Sequence, residues 1–284
     1  MDIELARTFL EISESGTFSA AAQRLNVTQS TVSMRIKALE GELGRPLFLR
    51  GRGGITLTAA GEKFRRFATT LVRVWRRARQ EVALPPQYHT ILTVGGQYSL
   101  WQRLLLRWID WMRESSAPEV ALQAEIGPSD WLIHQLVDGM LDLTILYAPQ
   151  GRPGLVVEKL VDESLVLVAD RPEHGGVAEA DYVFVDWGEE FAGQHGLAFP
   201  DAAPPGLSFG LGNVALEYLL DRGGAGYFPL RLVRPELDAG RLHRLSAPAF
   251  SRPAYVMYRR SDAALLNRAL GGLRQAAAEE SGGS

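Results

Sequence analysis

Residues 18–43 read FSAAAQRLNVTQSTVSMRIKALEGEL, and this stretch contains two short amphipathic helical patterns. The first begins after Phe18, with Ser19 as its expected N-cap, and its alanines would let another helix approach closely. Residues 26–28 interrupt the apolar spacing. The second runs from about residue 29 to residue 43, with apolar positions at intervals of 4, 3 and 4: Val32, Ile36, Leu39 and Leu43. Two helices joined by such a turn predict a helix-turn-helix unit.

The second helix of this unit has polar side chains opposite its apolar stripe. The DNA major groove admits a helix, and hydroxyl and amide groups near the helix N-terminus can donate to base edges and accept from them. The candidate DNA contacts on this helix are Gln29, Ser30, Thr31, Ser33, Met34, Arg35 and Lys37. A three-helix bundle with a solvated polar face would show the same pattern, so the helices alone leave both interpretations open.

A further helix is predicted upstream of this unit. Leu5, Phe9 and Ile12 form one apolar stripe, Asp2 is the expected cap, and Gly16 ends the pattern. The upstream helix would complete a three-helix domain.

A glycine-rich basic turn follows the helices. Residues 47–49 and 55–57 flank Arg50-Gly51-Arg52-Gly53-Gly54, which predicts a β-hairpin wing with Arg50 and Arg52 at its tip. A wing beside a recognition helix reaches phosphates or the minor groove, so both arginines are predicted DNA contacts. The hairpin favours a winged helix-turn-helix over a plain bundle.

Six motifs in this region resemble, in order and spacing, the signature of LysR-type transcriptional regulators. They are residues 18–25 (FSAAAQRL), 28–33 (TQSTVS), 36–40 (IKALE), 43–44 (LG), 47–50 (LFLR) and 57–61 (LTAAG). The resemblance implies a DNA-binding regulator with a linker helix and two α/β subdomains similar to a periplasmic binding protein, which hold an effector between them. A weaker likeness, in residues 1–5 and 99–101, is to the flagellar-operon regulator subgroup of that family.

A long helix is predicted after Thr58, its expected cap. Apolar residues repeat along it as a heptad seam: Ala60, Phe64, Phe67, Leu71, Val74 and Ala78. Such a helix could pack on its own domain or pair with a second subunit. The family resemblance favours pairing, which makes Phe64, Phe67, Leu71, Val74 and Ala78 the predicted dimerisation residues. Pro85-Pro86 closes the helix and marks a domain boundary.

The charge of the chain is unevenly distributed. Residues 1–88 hold 14 Lys and Arg against 8 Asp and Glu, whereas residues 89–284 hold 16 against 25. A basic part beside an acidic body indicates that the two parts meet different partners. The charge alone would also suit a membrane surface or an acidic protein, and the motifs decide in favour of double-stranded DNA.

Strand and helix patterns alternate from residue 89 onward, which predicts an α/β domain with parallel pairing. The predicted strands are residues 90–94, 120–126, 141–147, 164–169, 182–185, 207–210, 226–228 and 254–258, and the predicted helices are residues 100–112, 131–140, 213–222 and 262–275, followed by a frayed tail. The predicted domains are residues 1–58 (DNA binding), 59–84 (dimerisation) and 89–284 (effector binding). The resemblance divides the last into subdomain I (about 89–160 and 261–284) and subdomain II (about 161–260).

Ligands of parallel α/β sheets bind beyond the carboxyl ends of the strands, where helix N-termini present free amides. The candidate effector contacts at such positions are Gln97, Tyr98, Ser99, Pro128, Ser129, Tyr147, Asp186, Trp187, Asn213 and Tyr227. Ser99, Ser129 and Asn213 come first among them. Each could equally cap a helix without touching a ligand.

Other chemistries have weaker support. Residues 210–215 (GLGNVA) fit the glycine spacing of a dinucleotide fingerprint, but position 232 is leucine where an acidic ribose contact is needed, which favours a tight strand-to-helix turn. The histidines lack the spacing of metal ligands on one helix. Asp186, Glu189 and Glu190 near His195 are interpreted as a solvated acidic loop. We therefore predict a protein that is not an enzyme and uses no cofactor and no metal.

The chain has no cysteine, which excludes disulfides and cysteine redox sensing. Its apolar runs fall short of the roughly 18 residues that span a bilayer, and its acidic start differs from a signal peptide, so we predict a cytoplasmic protein. The predicted partners are double-stranded DNA, a small-molecule effector, further copies of itself in a homodimer or homotetramer, RNA polymerase at promoters, and no membrane. A DNA binder with a vestigial, ligand-free cleft and an α/β enzyme are the rival hypotheses.

Overall fold

The structure is a computed structural model that describes residues 2–51, 54–116, 119–261 and 263–281. The chain divides into two compact units. The first comprises residues 1–91 with 138–140, and the second comprises residues 92–137 with 141–284. In the described ranges, no helix has both the length and the apolar character that crossing a membrane requires.

The first unit begins with three helices: α1 (Ile3–Ser15), α2 (Phe18–Arg24) and α3 (Gln29–Leu43). Asp2 and Gly16 bound α1 as predicted, and the φ of 71° at Gly16 is one that glycine adopts readily. The prediction of Ser19 as the cap of α2 is wrong. Thr17 has the extended backbone of a cap, and its hydroxyl oxygen accepts a hydrogen bond of 3.1 Å from the first turn. Thr28 caps α3 in the same way.

A hairpin and a long helix follow: β1 (Phe48–Gly51), β2 (Gly54–Leu57) and α4 (Ala59–Val82). The two strands are antiparallel, as expected for a wing. Thr58 caps α4 as predicted, since its hydroxyl accepts from the Gly61 amide at 3.0 Å. A Cβ at Gly61 would lie 2.3 Å from the Leu47 carbonyl oxygen, so only glycine lets α4 approach the start of the hairpin this closely.

The core of the first unit joins all of these elements. The ring of Phe9 lies 5.1 Å from that of Phe48 on the hairpin and 5.0 Å from that of Phe64 on α4. The side chains of Ile12, Val32 and Leu39 are fully buried. The apolar stripe predicted for α1 therefore faces inward, and so does that of α3 except at its last member, Leu43, which is exposed at the end of the helix. The opposite face of α3 points to solvent.

The second unit contains a mixed sheet of nine strands among the described residues. They are β3 (Thr90–Gly96), β4 (Val120–Ile126), β5 (Leu143–Leu146), β6 (Leu155–Ala169), β7 (Tyr182–Val185), β8 (Leu207–Phe209), β9 (Ala225–Pro229), β10 (His243–Arg244) and β11 (Phe250–Arg259). The order is β4-β3-β5-β11-β6-β9-β7-β8, with β10 beside β6. The pairs β3–β5, β7–β8 and β7–β9 are parallel, as expected.

The two long central strands differ from the prediction. β6 and β11 are antiparallel to each other, and each extends well beyond the short strand that its apolar pattern predicted. The first half of β6 alternates with charged residues and is only partly buried, so hydrophobicity marks just its second half. One hydrophobic cluster takes its buried members from residues 92–145 and 254–277. A second takes them from residues 165–250. Both clusters contact β6 and β11.

The helices of the second unit are α5 (Tyr98–Leu100), α6 (Leu106–Trp111), α7 (Ser129–Val137), α8 (Glu189–Ala198), α9 (Gly212–Arg222), α10 (Leu230–Asp238) and α11 (Ala264–Ser281). The continuous helix predicted for residues 100–112 is interrupted, because Gln102 and Arg103 have non-helical dihedral angles. The pattern missed α10, which contains Pro235. The prediction of a frayed tail is wrong, because α11 continues to Ser281 and buries Ala276 and Ala277.

Candidate nucleic-acid interface and ligand cleft

The outer face of α3 presents most of its predicted DNA contacts to solvent. Gln29, Ser30, Met34 and Lys37 are exposed, and 65% of Met34 is accessible. Ser33 is half-buried. A convex helix face with hydroxyl, amide and ammonium groups in water has the shape and the donors that major-groove recognition requires.

Two predicted contacts on α3 are engaged inside the domain. Thr31 places its hydroxyl 2.8 Å from that of Thr28, within the cap of the helix. Arg35 donates to the Thr8 hydroxyl at 3.2 Å, and its guanidinium lies 3.4 Å from Glu4. These side chains hold α3 in place against its own start and against α1.

The wing lies beside α3. Gln29 and Ser33 of α3 line a concave surface of about 280 Å³ together with the start of α2 and with Gly51, Gly54 and Ile55 of the hairpin. The backbone of Arg50 pairs with that of Ile55 across the hairpin, and the side chain of Arg50 lies outside the part of the chain that the structure describes. Arg52 lies outside the described residues. The phosphate contacts of the wing therefore stay predictions.

The predicted seam of α4 has two different environments. Phe64 is buried in the core of its own unit. Phe67, Leu71 and Val74 are exposed, at 66%, 39% and 56%, and so is Ala78. The pattern missed two further exposed apolar side chains on the same helix, Trp75 and Val82.

The second unit contains a cavity of about 490 Å³. Predicted effector contacts that line it are Gln97, Tyr98, Ser99, Tyr147, Asp186, Trp187 and Asn213. Pro128 and Ser129, at the start of α7, are not among its lining residues. Tyr227 is fully buried in an aromatic cluster, where its hydroxyl donates to the Pro248 carbonyl at 2.9 Å.

A buried hydrogen-bond network lies behind two of the lining residues, Ser99 and Tyr147. The Tyr147 hydroxyl donates to Glu163 at 2.6 Å and lies 3.1 Å from the Ser99 hydroxyl. The other Glu163 oxygen accepts from Arg231 at 2.7 Å, and Arg231 also donates to the Ser99 and Gln102 carbonyls. Burial raises the pKa of the Tyr147 hydroxyl and the Glu163 carboxylate raises it further, so Tyr147 stays protonated as a donor.

Arg252 faces the cavity from β11. Its guanidinium carbon lies 3.4 Å from the ring centre of Tyr147 and 4.8 Å from that of Trp187. Two of its nitrogens, Nε and Nη1, are buried without a hydrogen-bond partner. Burial lowers the pKa of this guanidinium below its usual range. Stacking on the two aromatic faces and attraction to the charges of Glu163 and Asp186 offset part of this cost.

The start of α9 forms another part of the wall. Asn213 is buried, and neither its side-chain oxygen nor its side-chain nitrogen has a hydrogen-bond partner. A Cβ at Gly212 would lie 2.0 Å from the Trp187 ring, so glycine is required for α9 to begin here. The glycines at 210 and 212 thus form the strand-to-helix turn that was preferred over a dinucleotide fingerprint.

Sequence reasoning missed Glu163, Arg231 and Arg252. Glu163 and Arg252 are on the extended parts of β6 and β11, and Arg231 is on the unpredicted helix α10. In the sequence, each of the three is a charged residue beside an apolar pattern. Many solvent-exposed charged residues have the same surroundings. Only burial distinguishes them.

Two histidine clusters elsewhere have structural explanations. His174 lies near Glu179 and Asp181, with candidate ligand atoms within 4.8 Å of one another. Its Nδ1 accepts from the Gly176 amide at 2.8 Å, so its Nε2 carries a proton and donates to Asp181 at 2.9 Å. Both ring nitrogens are therefore already in use.

His195 corrects the interpretation of its region as a solvated loop. Residues 189–198 form α8, and His195 is buried among aromatic rings. Its Nε2 lies 2.8 Å from the Tyr182 hydroxyl, and burial lowers its pKa. Asp186, Glu189 and Glu190 are exposed, as expected.

Family models match both parts of the chain. The model for bacterial regulatory helix-turn-helix proteins of the lysR family matches residues 3–62, and the model for the LysR substrate binding domain matches residues 87–280. The HTH-type transcriptional regulator HdfR of Salmonella schwarzengrund is 35% identical over 263 residues, which cover 91% of this chain and 92% of that protein. HdfR of Yersinia enterocolitica is 34% identical over 271 residues and covers 91% and 90%. These matches confirm the likeness to the flagellar-operon regulator subgroup.

Solved structures of similar fold cover nearly the whole chain. ArgP from Mycobacterium tuberculosis has a TM-score of 0.59 at 24% identity and covers 98% of this chain and 97% of its own. LysG from Corynebacterium glutamicum has a TM-score of 0.55 at 20% identity and covers 98% and 99%. The two family models and the HdfR relatives together identify the family of this chain. The chain belongs to the LysR family of DNA-binding transcriptional regulators, which have a helix-turn-helix and a substrate-binding domain and are not enzymes.

Proposed function

We propose that this protein is a sequence-specific regulator of transcription whose DNA binding changes when a small molecule occupies the cavity beside Tyr147. The observation that carries this proposal is the cavity itself, which has a volume of about 490 Å³ and contains the unpartnered polar groups of Arg252 and Asn213. Small-molecule sites have volumes of this order and combine a few convergent polar groups with apolar walls.

The DNA-binding part of the proposal rests on residues 1–58. The exposed side chains Gln29, Ser30, Met34 and Lys37 face the major groove, with Ser33 beside them, while Arg50 and Arg52 contact phosphates. CbnR, which has a TM-score of 0.51 to this chain, has been solved in complex with its target DNA.

Oligomerisation through residues 59–84 is the second part. Two copies that bury the exposed apolar face of α4 would hold two winged helices at a fixed distance, which sets the spacing of two DNA half-sites. Pairs of such dimers would form a homotetramer, and the assembly would contact RNA polymerase at promoters in the cytoplasm.

Ligand control through residues 89–284 is the third part. The residues that line the cavity come from both predicted subdomains, and β6 runs from the one into the other. A ligand alters the DNA-bound assembly only if it binds one arrangement of the subdomains better than the other. LysG, whose fold is similar, has been solved with bound effector Arg.

Fluorescence anisotropy of the full-length protein tests the function. The DNA upstream of its own gene and a scrambled duplex are titrated at several salt concentrations, with and without a protein-free small-molecule extract of the source cells. We expect tighter binding to the native duplex, a log affinity that falls steeply with log salt, and a change in affinity when the extract is added.

Each part of the proposal can fail separately. Equal, weak binding to both duplexes with and without extract would contradict sequence-specific binding to this DNA. Specific binding that no component of the extract alters would favour the rival hypothesis of a ligand-free cleft.

A further inference from the structure

We propose that the ligand of the Tyr147 cavity carries a carboxylate, which Arg252 binds together with Asn213 and the first amides of α9. This inference rests on the proposed function, because it names the chemical class of the ligand in the same cavity. It begins from the two lining side chains whose hydrogen-bonding groups the described residues leave unused.

The charges of this wall leave Arg252 without an anionic partner. Glu163 is the buried carboxylate next to it, but Glu163 already accepts from Arg231 at 2.7 Å and from Tyr147 at 2.6 Å. Among the described residues, the Arg252 side chain forms neither an ion pair nor a hydrogen bond, and it is held by two aromatic rings. A buried guanidinium without such partners is destabilising, and an anion that pairs with it removes that penalty.

Asn213 is an independent observation that points to the same place. It is the second residue of the 11-residue helix α9, and only 9% of it is exposed. Its amide nitrogen has no acceptor. The amide and the free backbone N–H groups of the helix start are donors that suit an anionic oxygen.

Trp187 places the two groups at one end of the cavity. Its ring contacts Gly212 at the start of α9 and lies 4.8 Å from the Arg252 guanidinium. Because Nε and Nη1 of Arg252 are buried, a ligand that bonds to them would turn the guanidinium away from the Tyr147 ring. That rotation would couple ligand binding to Tyr147 and to the Glu163–Arg231 pair beneath it.

The remaining charges of the cavity favour a carboxylate over a phosphate. Asp186, Glu189 and Glu190 also line it and are exposed. Three carboxylates repel a phosphate dianion more strongly than a monoanion. The planar guanidinium fork also matches a carboxylate in two parallel hydrogen bonds.

The test uses thermal unfolding of the full-length protein with the small-molecule extract of the source cells. A ligand that binds the folded state raises Tm. One portion of the extract is coupled to excess glycinamide with a carbodiimide, which converts each carboxylate to a neutral amide. A second portion is treated with alkaline phosphatase. We expect coupling to abolish the rise in Tm and phosphatase to leave it unchanged.

Two variants locate the site. Arg252→Gln should weaken binding of the active fraction by roughly tenfold or more, because a charged hydrogen-bond partner is lost. Arg222→Gln, at the exposed end of α9, is the matched control and should bind as the parent does. Retention of DNA binding by Arg252→Gln without extract shows that this variant is folded.

The outcomes separate the ligand class from the proposed function. A rise in Tm that survives glycinamide coupling, or one that phosphatase removes, would overturn the carboxylate and leave a ligand-controlled regulator. Unchanged binding by Arg252→Gln would overturn the role of Arg252. An extract that changes neither Tm nor DNA affinity would overturn ligand control and the carboxylate together.

Discussion

The outer face of α3 and the cavity beside Tyr147 differ in how far their polar groups are already used. Gln29, Ser30 and Lys37 on α3 are exposed to water. Behind the cavity wall, Glu163 and Arg231 are buried and bonded to each other, with 3% and 6% of their side chains exposed. In the proposed function the first surface exchanges water for DNA, whereas the second is assembled when the protein folds.

This difference has a consequence for mutations. A polar side chain that water already solvates can be removed with little effect on folding, and the loss falls on binding. A buried charge that loses its partner destabilises the fold first, because the remaining charge stays in a low-dielectric environment. Substitutions at the two surfaces should therefore separate binding from stability.

The largest effect is expected for Arg231→Ala. It leaves Glu163 without its cationic partner, and the free energy of unfolding should fall by about 3–5 kcal/mol, measured by urea denaturation. Glu163→Leu combined with Arg231→Met should recover most of that loss, because neither charge of the buried pair is left without the other. The matched control is Arg241→Ala, which removes the exposed partner of an ion pair with the half-buried Glu236. Its loss should be far smaller than that of Arg231→Ala, because water screens an exposed guanidinium, and equal losses in the two single variants would contradict the comparison.

The apolar face of α4 adds a third surface to the comparison. It is exposed like the outer face of α3, but its aliphatic and phenyl side chains present no polar groups. Leu71→Asp places a charge in the proposed dimer interface and should raise the dimer dissociation constant by about a hundredfold or more, measured by sedimentation velocity. Leu197→Asp, at a residue that is 85% exposed on α8, should leave dimerisation unchanged. Undiminished dimers of Leu71→Asp would contradict an interface on this face.

Gln29→Ala tests the exposed face of α3. Affinity for the specific DNA should fall by about 1–3 kcal/mol, as for the loss of a base contact. The free energy of unfolding should change by no more than about 0.5 kcal/mol, because the side chain is solvated. Gln23→Ala on α2 is the matched control. A loss of affinity that is equal on scrambled DNA would show that Gln29 does not contact bases.

The smallest effect distinguishes the observed cap of α2, Thr17, from the predicted one, Ser19. Thr17→Ala removes the observed cap and should cost about 0.5–2 kcal/mol of stability, whereas Ser19→Ala should cost less than about 0.5 kcal/mol. Thermal unfolding of the two variants measures the difference. The reverse order would restore the cap that the sequence pattern predicted.

The local elements of the first unit were largely predictable. The spacing of apolar residues fixed α3 to its observed bounds, and the Thr58 cap and the Gly16 terminator behaved as their conformational preferences require. The cap of α2 was missed by two residues, because a serine and a threonine stood close together and only the backbone conformation chose between them.

The cavity was predictable only in part. Gln97, Ser99, Tyr147, Trp187 and Asn213 follow strands, so a general rule about α/β sheets placed them correctly around one cavity. The same rule also selected Tyr227, Pro128 and Ser129, because it does not tell which end positions converge. Tyr227 turned inward to the core, and the other two begin α7 outside the lining.

By itself, the amino-acid sequence determined the family, the winged helix-turn-helix and the amphipathic linker helix, since motifs, helix caps and apolar spacing are features of residues close along the chain. Tertiary structure alone decided which charges are buried. Arg252 is stacked on Tyr147, more than a hundred residues away, while Arg222 is exposed. The physical reason is that the cost of burying a charge depends on neighbours from distant segments, which periodicity and spacing do not encode.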